Sequence, residues 1–224
     1  MARATASELL DDPGVDPREL EGNFDDIERA NRWFGGVAPV MREVFRRDGE
    51  WLLDVGCGSA DIPRALLRAA RRRGRRLEIV ALDRSEAVLA IARARANGEP
   101  MLRFVQSGAL PLPFPDASFD IVTCNLTLHH FEPQAAVSLL REMRRVARVT
   151  PLVCDLRRSL GSFVSAGLFA LLIARNRLTR HDAPLSARRA YTMREAKRLA
   201  REAGWLRPRV RRYPFFRMML SDDG

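Results

Sequence analysis

Lysine is almost missing from this chain: Lys197 stands alone among 38 basic residues, and the other 37 are arginines. Cysteine is equally sparse. Cys57, Cys124 and Cys154 are three in number and far apart, which excludes a disulfide framework and a zinc site built on paired ligand spacing, and suits reduced thiols. No metal site is expected. Long apolar runs are also lacking, because only residues 160–174 form an uncharged stretch, and 15 residues fall short of the roughly 20 a helix needs to cross a hydrocarbon core. No transmembrane segment is therefore expected. The first residues offer acids (Glu8, Asp11, Asp12) instead of a cationic flank before an apolar core, so no secretory leader is visible and a cytoplasmic location is expected.

The excess of arginine gives a net charge of +10 and a pI near 11, a balance that raises the question of nucleic acid. Its distribution argues otherwise. The arginines run from Arg3 to Arg217 with local clusters at 71–76 and 209–212, as a compositional bias would place them. The first cluster also follows an apolar helical pattern, where cations complement the carbonyls of a helix C-terminus and Gly74 can end the helix. Nucleic acid is not favoured as a partner.

A length of 224 residues with 46% apolar composition supports one buried core and one domain. Residues 1–22, with Pro13, Gly14 and Pro17 among acids, read as a flexible amino-terminal segment. Phe24, Ile27, Ala30, Asn31 and Phe34 then recur at helical spacing, so a leading helix is expected to end near Gly35 and Gly36. After it the chain alternates. Strands are expected at 51–55, 77–82, 102–106, 119–124 and 150–154, with helices at 61–73, 85–96, 133–147 and 192–203 between or after them, and one or two closing strands within 207–220. Continuous apolar strands alternating with helices specify a Rossmann-like, doubly wound α/β sheet, mostly parallel, buried on both faces and seven-stranded, with a closing antiparallel strand allowed. Its ligand belongs at the carboxyl ends of the strands. Residues 158–190 interrupt the alternation and are expected to form a helical lid, bringing Phe163, Leu168, Phe169, Leu172 and Tyr191 toward the active edge.

The segment Leu52-Leu53-Asp54-Val55-Gly56-Cys57-Gly58-Ser59-Ala60-Asp61 places two glycines at a strand-to-helix bend, where missing β-carbons let the backbone approach a ligand. A carboxylate at the end of the second strand, Asp83, can accept hydrogen bonds from both ribose hydroxyls. The position where a dinucleotide site wants a third glycine holds an anion, Asp61. With Asp54 on the other side of the bend, the turn repels a pyrophosphate and suits the ammonium and sulfonium charges of S-adenosylmethionine.

Together with Leu82-Asp83, the run Leu110-Pro111-Leu112-Pro113-Phe114-Pro115-Asp116 leading to Ser118-Phe119-Asp120, and Asn125-Leu126, these motifs resemble the class I S-adenosylmethionine-dependent methyltransferases, in their ubiquinone/menaquinone-type branch. The resemblance spans about residues 24–213 and is specific for the superfamily, not for a substrate. It implies that Asp54, Gly56, Cys57, Gly58 and Asp61 line the methionine portion of the cofactor and that Asp83 holds the ribose. Arg84, Ser107, Gly108 and Ala109 would flank the adenine, and Asn125 and Leu126 would close the pocket. The leading helix would cover it, with Arg32 among the contacts. One departure stands out, because relatives usually carry an acid in the stretch 106–109 to meet the adenine amino group, and Gly108 cannot supply it. Backbone carbonyls or the Ser107 hydroxyl would substitute.

A phenolic acceptor, with a pKa near 10, gains from a general base, and imidazoles titrate in the right range. His129 and His130 follow the fourth strand and His181 is the only other histidine, so these three are the candidate bases. Packing alone would also account for the pair. The expected partner is a small, apolar or phenolic metabolite, with O-methylation ahead of C-methylation and the chain a monomer or homodimer. An RNA or protein methyltransferase and a non-catalytic cofactor-binding regulator are the alternatives.

Overall fold

A computed structural model describes residues 1–12 and 14–223; Pro13 and Gly224, the first of them part of the amino-terminal reading above, lie outside the described residues. Seven strands form one sheet: β1 (Trp51–Val55), β2 (Glu78–Asp83), β3 (Leu102–Gln106), β4 (Phe119–Asn125), β5 (Ala147–Leu156), β6 (Pro208–Tyr213) and β7 (Arg217–Asp222). Their order is β3-β2-β1-β4-β5-β7-β6, and every pairing from β3 to β5 is parallel. Only β7 runs antiparallel, between β5 and β6. The sheet is the mostly parallel Rossmann-like one that the alternation implies.

Eight helices accompany it among the described residues: α1 (Pro17–Trp33), α2 (Val37–Phe45), α3 (Asp61–Arg72), α4 (Glu86–Ala96), α5 (Pro133–Val146), α6 (Leu160–Leu172), α7 (Arg177–Arg189) and α8 (Met193–Glu202). Their starts follow local chemistry. Ser85 caps α4 by accepting the Val88 N–H, and Thr192 with Glu195 forms a reciprocal capping box on α8. α1 begins six residues before the expected Asn23, because the Asp16 side chain caps it and Pro17 occupies the first helical position.

One helix, α2, was not expected from the sequence, and a second, α7, falls inside the expected helical lid of 158–190 without bounds of its own. α2 packs Val40 and Val44 into the core on one side of the sheet, beside Leu52 of β1 and Leu66 and Leu67 of α3. α7 occupies what reads as a polar stretch, with Pro184 inside it masking its periodicity. Asn176 caps its start, and its buried face carries Leu178, Thr179, Asp182 and Ser186. On the other side of the sheet α5 and α8 bury Leu139, Leu140, Met143 and Leu199 against Val122 and Val153.

Chain direction reverses its progress across the sheet between β1 and β4, since β2 and β3 are added on one side and β4 and β5 on the other. At such a switch point the loops after neighbouring strands diverge and leave a crevice at the strand ends. α1, α6 and α7 roof that crevice, and residues of the amino-terminal segment reach it as well. The N–H groups of Leu9 and Leu10 donate to the carboxylate of Asp182 on α7, each at 2.9 Å.

Candidate functional site

The crevice is a cleft of about 1550 Å³, within reach of a nucleoside-sized ligand together with a second small molecule. β1 enters it through Asp54, then turns at Gly56 and Gly58, whose φ angles of +72° and +52° lie where L side chains are strained. A β-carbon on Gly56 would stand 2.5 Å from Cγ2 of Thr127, so the bend is closed to side chains by packing as well as by torsion. Ala60 continues the turn at φ +57° and delivers Asp61 to the first position of α3.

Three carboxylates meet around this bend. Asp54 is fully buried, its Oδ1 accepting from Oγ1 of Thr123 at 2.7 Å and from Nδ2 of Asn125 at 2.8 Å. Asp61 accepts from Nδ2 of Asn31, on α1, at 2.8 Å. Asp83 accepts the N–H groups of Gly58 and Ser85, each at 3.1 Å, so it holds the bend and the start of α4 to the end of β2. Among the described residues none of the three has a cationic partner. Burial pushes all three upward, and the proximity of Asp61 and Asp83 adds to it at Asp54, which reaches about 7. Burial and the same anions push the Cys57 thiol well above its ordinary range. Three carboxylates without a counter-ion, one buried and two half-buried in an open cleft, suit a cationic ligand.

The other residues expected to hold a cofactor fall into two groups. Arg84, Ser107, Gly108, Ala109, Asn125 and Leu126 line the cleft with Asp54, Gly56, Cys57, Gly58, Asp61 and Asp83. A β-carbon at Gly108 would meet nothing within 4 Å, which leaves open space at the position where the resemblance led us to expect an acid, and the Ser107 hydroxyl donates to the Gly108 carbonyl at 3.0 Å. Oδ1 of Asn125 is buried without a hydrogen-bond partner, an acceptor waiting for a donor. Arg32 is not brought to the cleft: it lies on the exposed face of α1, while Phe24, Ile27, Ala30, Asn31 and Phe34 of that helix face inward. The helical period puts Arg32 one residue past the inward stripe.

Of the three histidines, His129 and His130 line the cleft and His181 does not. His181 is half exposed on α7 beside Asp182, 2.7 Å away, because Asp182 itself turns inward. His129 is buried, its Nδ1 2.7 Å from Oδ1 of Asp155 and its N–H donating to Oδ2 at 3.0 Å. Burial alone would lower this imidazole, but the Asp155 and Glu8 carboxylates outweigh it and hold its pKa above the ordinary value. His130 places Nδ1 3.0 Å from Oδ2 of Asp11. Glu8 lies between the rings, 3.5 Å from Nε2 of His129 and 3.7 Å from Nε2 of His130. Arg189 ties the arrangement together by donating to the carbonyls of Ala6, His129 and His130.

Glu8, Asp11 and Asp155 were not among the site residues expected from the sequence. Nothing in spacing signals them, since Glu8 reaches His129 across more than half the chain.

The apolar wall differs from expectation too. α6 turns Ser162, Ser165, Ala166 and Phe169 to the cleft, and Leu168 and Leu172 to solvent with exposures of 52% and 73%. Phe163 is absent from the lining, and Tyr191 is buried elsewhere, its hydroxyl donating to the Phe131 carbonyl. Residues 162, 166 and 169 share one helical face and 164, 168, 171 and 172 the opposite one. Phe34 joins Phe169 and Phe215 in edge-on contacts at 5.8 and 5.4 Å, so the wall beyond the anionic bend is aromatic.

Residues 53–150 match a protein family described as "Methyltransferase domain". A demethylmenaquinone methyltransferase of Geobacillus kaustophilus is 37% identical over 111 residues, 49% of this chain and 45% of that protein. A 2-phytyl-1,4-naphtoquinone methyltransferase of Thermosynechococcus vestitus is 40% identical over 100 residues, 44% of this chain and 41% of its own length. The chain thus spans about half the length of the curated relatives it matches. Among solved structures, a SAM-dependent methyltransferase from Aquifex aeolicus aligns at 19% identity over 92% of this chain and 97% of its own, with a TM-score of 0.62. The magnesium protoporphyrin IX methyltransferase of Synechocystis aligns at 16% identity over 90% and 84%, with a TM-score of 0.59. At these identities the two structures establish a shared fold.

Proposed function

We propose that the chain is a class I S-adenosylmethionine-dependent methyltransferase of the menaquinone-methyltransferase-like branch that methylates an oxygen of a small phenolic or quinone-like metabolite, a reading supported by the methyltransferase-domain match over residues 53–150 and by the demethylmenaquinone methyltransferases it resembles over about half their length. The observation that carries this reading is the trio Asp54, Asp61 and Asp83, the first buried and the other two half-buried, without ion-pair partners among the described residues at a bare backbone bend. When bound, the cofactor supplies a methyl carbon already activated by a sulfonium leaving group, so no further electrophilic activation of that carbon is needed.

The protein's own part is binding, orientation and exclusion of water. Asp54 and Asp61 offer negative charge to the ammonium and sulfonium end. Asp83 offers carboxylate oxygens to the ribose hydroxyls, while its bonds to the Gly58 and Ser85 N–H groups keep the bend in shape. Arg84, Ser107, Gly108 and Ala109 stand where the adenine would lie. The acceptor belongs on the remaining side of the cleft, between the aromatic wall of Phe34, Phe169 and Phe215 and the His129–His130 turn. Residues 158–190 act as its cover, and two of the curated relatives are named for naphthoquinone-type acceptors.

Incubation with radiolabelled methyl donor and a panel of phenols, hydroquinones and tRNA tests the reading. Label carried into a phenolic ether supports it. Label in RNA alone, or in no product while the donor is bound, contradicts it.

A further inference from the structure

Two neighbouring histidines and a glutamate from the other end of the sequence converge on one point of the cleft wall. His129, His130 and Glu8 each offer one ligand atom, and these atoms lie within 4.8 Å of one another. The nearest separations, 3.5 and 3.7 Å, run from Nε2 of His129 and Nε2 of His130 to different oxygens of Glu8. Ligands held about 2.0 Å from a tetrahedral ion stand roughly 3.3 Å apart, so the two nitrogen–oxygen separations are within a few tenths of an ångström of that value, and the third, within 4.8 Å, closes by a small rotation of the His130 ring.

The outer shell has the matching form. A histidine that binds metal through one ring nitrogen usually gives the other to a carboxylate, which fixes the tautomer and the ring. Both rings do so here: Nδ1 of His129 lies 2.7 Å from Asp155 and Nδ1 of His130 lies 3.0 Å from Asp11. Glu8 in turn accepts from the Ser186 hydroxyl at 2.9 Å. Three carboxylates therefore surround two imidazoles; Asp11 also pairs with Arg84 at 2.9 Å, and the guanidinium of the neighbouring Arg189 is taken up by backbone carbonyls. Among the described residues Glu8 and Asp155 have only the two imidazoles within ion-pair distance, which leaves room for a cation between them.

The geometry points to a divalent transition-metal site made by Glu8, His129 and His130, with an open coordination position facing the acceptor side of the cleft. Two imidazole nitrogens with one carboxylate disfavour magnesium and calcium, which take oxygen ligands, and suit zinc. Three protein ligands with one position open is the pattern of a reactive site, not of a structural one.

All three residues line the cleft, so the open position is available to an oxygen of the acceptor. Resting on the acceptor reading above, the site takes a phenolic hydroxyl whose proton leaves to water, its bonding pair remaining on oxygen. That oxygen then bonds to the methyl carbon as the carbon–sulfur bond breaks and its pair returns to sulfur. The metal ion lowers the acidity threshold of the bound hydroxyl, as it does for bound water.

Cobalt(II) chloride titrated into the full chain after chelator treatment, read by visible absorption, tests the site. One ion per chain with the absorption of a low-coordinate nitrogen–oxygen field is expected. Glu8→Gln and His130→Ala should abolish it, and Asp11→Asn, which alters the carboxylate partner of His130 and its ion pair with the exposed Arg84, should weaken binding about tenfold, with Arg84→Ala as the control that leaves the cobalt affinity unchanged. No cobalt absorption in the wild type, or affinity unchanged in Glu8→Gln, His130→Ala and Asp11→Asn alike, overturns the site. Calorimetry of the metal-free chain with S-adenosylhomocysteine keeps the two ideas apart. Nucleoside binding without cobalt binding removes the metal site and leaves the methyltransferase reading; cobalt binding without nucleoside binding does the reverse.

Discussion

The Nδ2 of Asn125 donates to Oδ1 of Asp54 at 2.8 Å, joining the carboxyl ends of β4 and β1 across the switch point of the sheet. With Thr123 on the same oxygen at 2.7 Å, the bond fixes which edge of the Asp54 carboxylate remains for a ligand. It does so without supplying a counter-charge.

That absence gives cofactor binding a pH dependence. Burial and the nearby Asp61 and Asp83 raise Asp54 to about 7, so the empty cleft holds it largely protonated in mild acid. A cationic ligand favours the ionised form, and binding therefore releases a proton below pH 7. Affinity for S-adenosylmethionine should fall about tenfold between pH 8 and pH 6, as one ionisation near 7 requires, and Asp54→Asn should flatten the profile. The same group works against folding. Its folded pKa lies above the unfolded value near 3.9, so its contribution falls as pH rises from about 4 to 7. The thermal shift caused by the cofactor should accordingly be larger at pH 8 than at pH 6, which scanning fluorimetry can follow.

Gly56 tests the bend by shape instead of charge. An alanine there must hold φ +72° and place its β-carbon 2.5 Å from Thr127 Cγ2. Gly56→Ala should cost about 2 kcal/mol or more of stability and weaken the cofactor together with it, as measured by urea unfolding and by calorimetry on the folded fraction.

Glu43 offers a test of the scaffold away from the cleft. This buried carboxylate of α2 receives Arg46 and Arg47 at 2.7 Å, Tyr213 at 3.1 Å and Arg211 at 3.3 Å, tying α2 to β6. Removing it takes a carboxylate from Arg47, which keeps Asp223, and from the more exposed Arg46 and Arg211, so Glu43→Ala should cost about 1–2 kcal/mol and lower Tm by roughly 2–8 °C. Burial opposes its ionisation, yet the hydrogen bonds and charges of its partners bring its pKa below the ordinary value. Its stabilisation is thus present above the unfolded pKa near 4.3 and is lost as pH falls through the folded one. The Tm gap between wild type and variant should shrink below pH 4.

Local patterning carries the sheet and the cofactor side of the cleft into the sequence. Leu52, Leu53 and Val55 announce a strand, Gly56 and Gly58 a bend, and Asp83 ends the next strand, because each signal lies within a few residues of the element it specifies. α7 is hidden because Pro184 interrupts a helix whose buried positions are partly polar. The orientation of α6 is hidden because its apolar residues occupy every face, leaving no periodicity to tell Phe169 from Leu168. The acceptor side is the least legible. His129 gains meaning only from Asp155, 26 residues on, and from Glu8, and no local rule connects an acid near the amino terminus to a turn after β4. Many of the arginines that give the chain its charge are likewise placed by partners distant in sequence, as Arg95 is by Glu28 and Asp25.

Calorimetric titration of S-adenosylmethionine into the wild-type chain and into Asp83→Asn is the most direct test of the anionic bend. The variant preserves the shape of the side chain and removes its charge, and a charged hydrogen-bond partner contributes about 1.5–3 kcal/mol. Saturable binding at one molecule per chain, weakened roughly 10- to 150-fold by the substitution, is the expected result. Equal affinity in the two proteins, or no binding to the wild type, would contradict the assignment of the cleft.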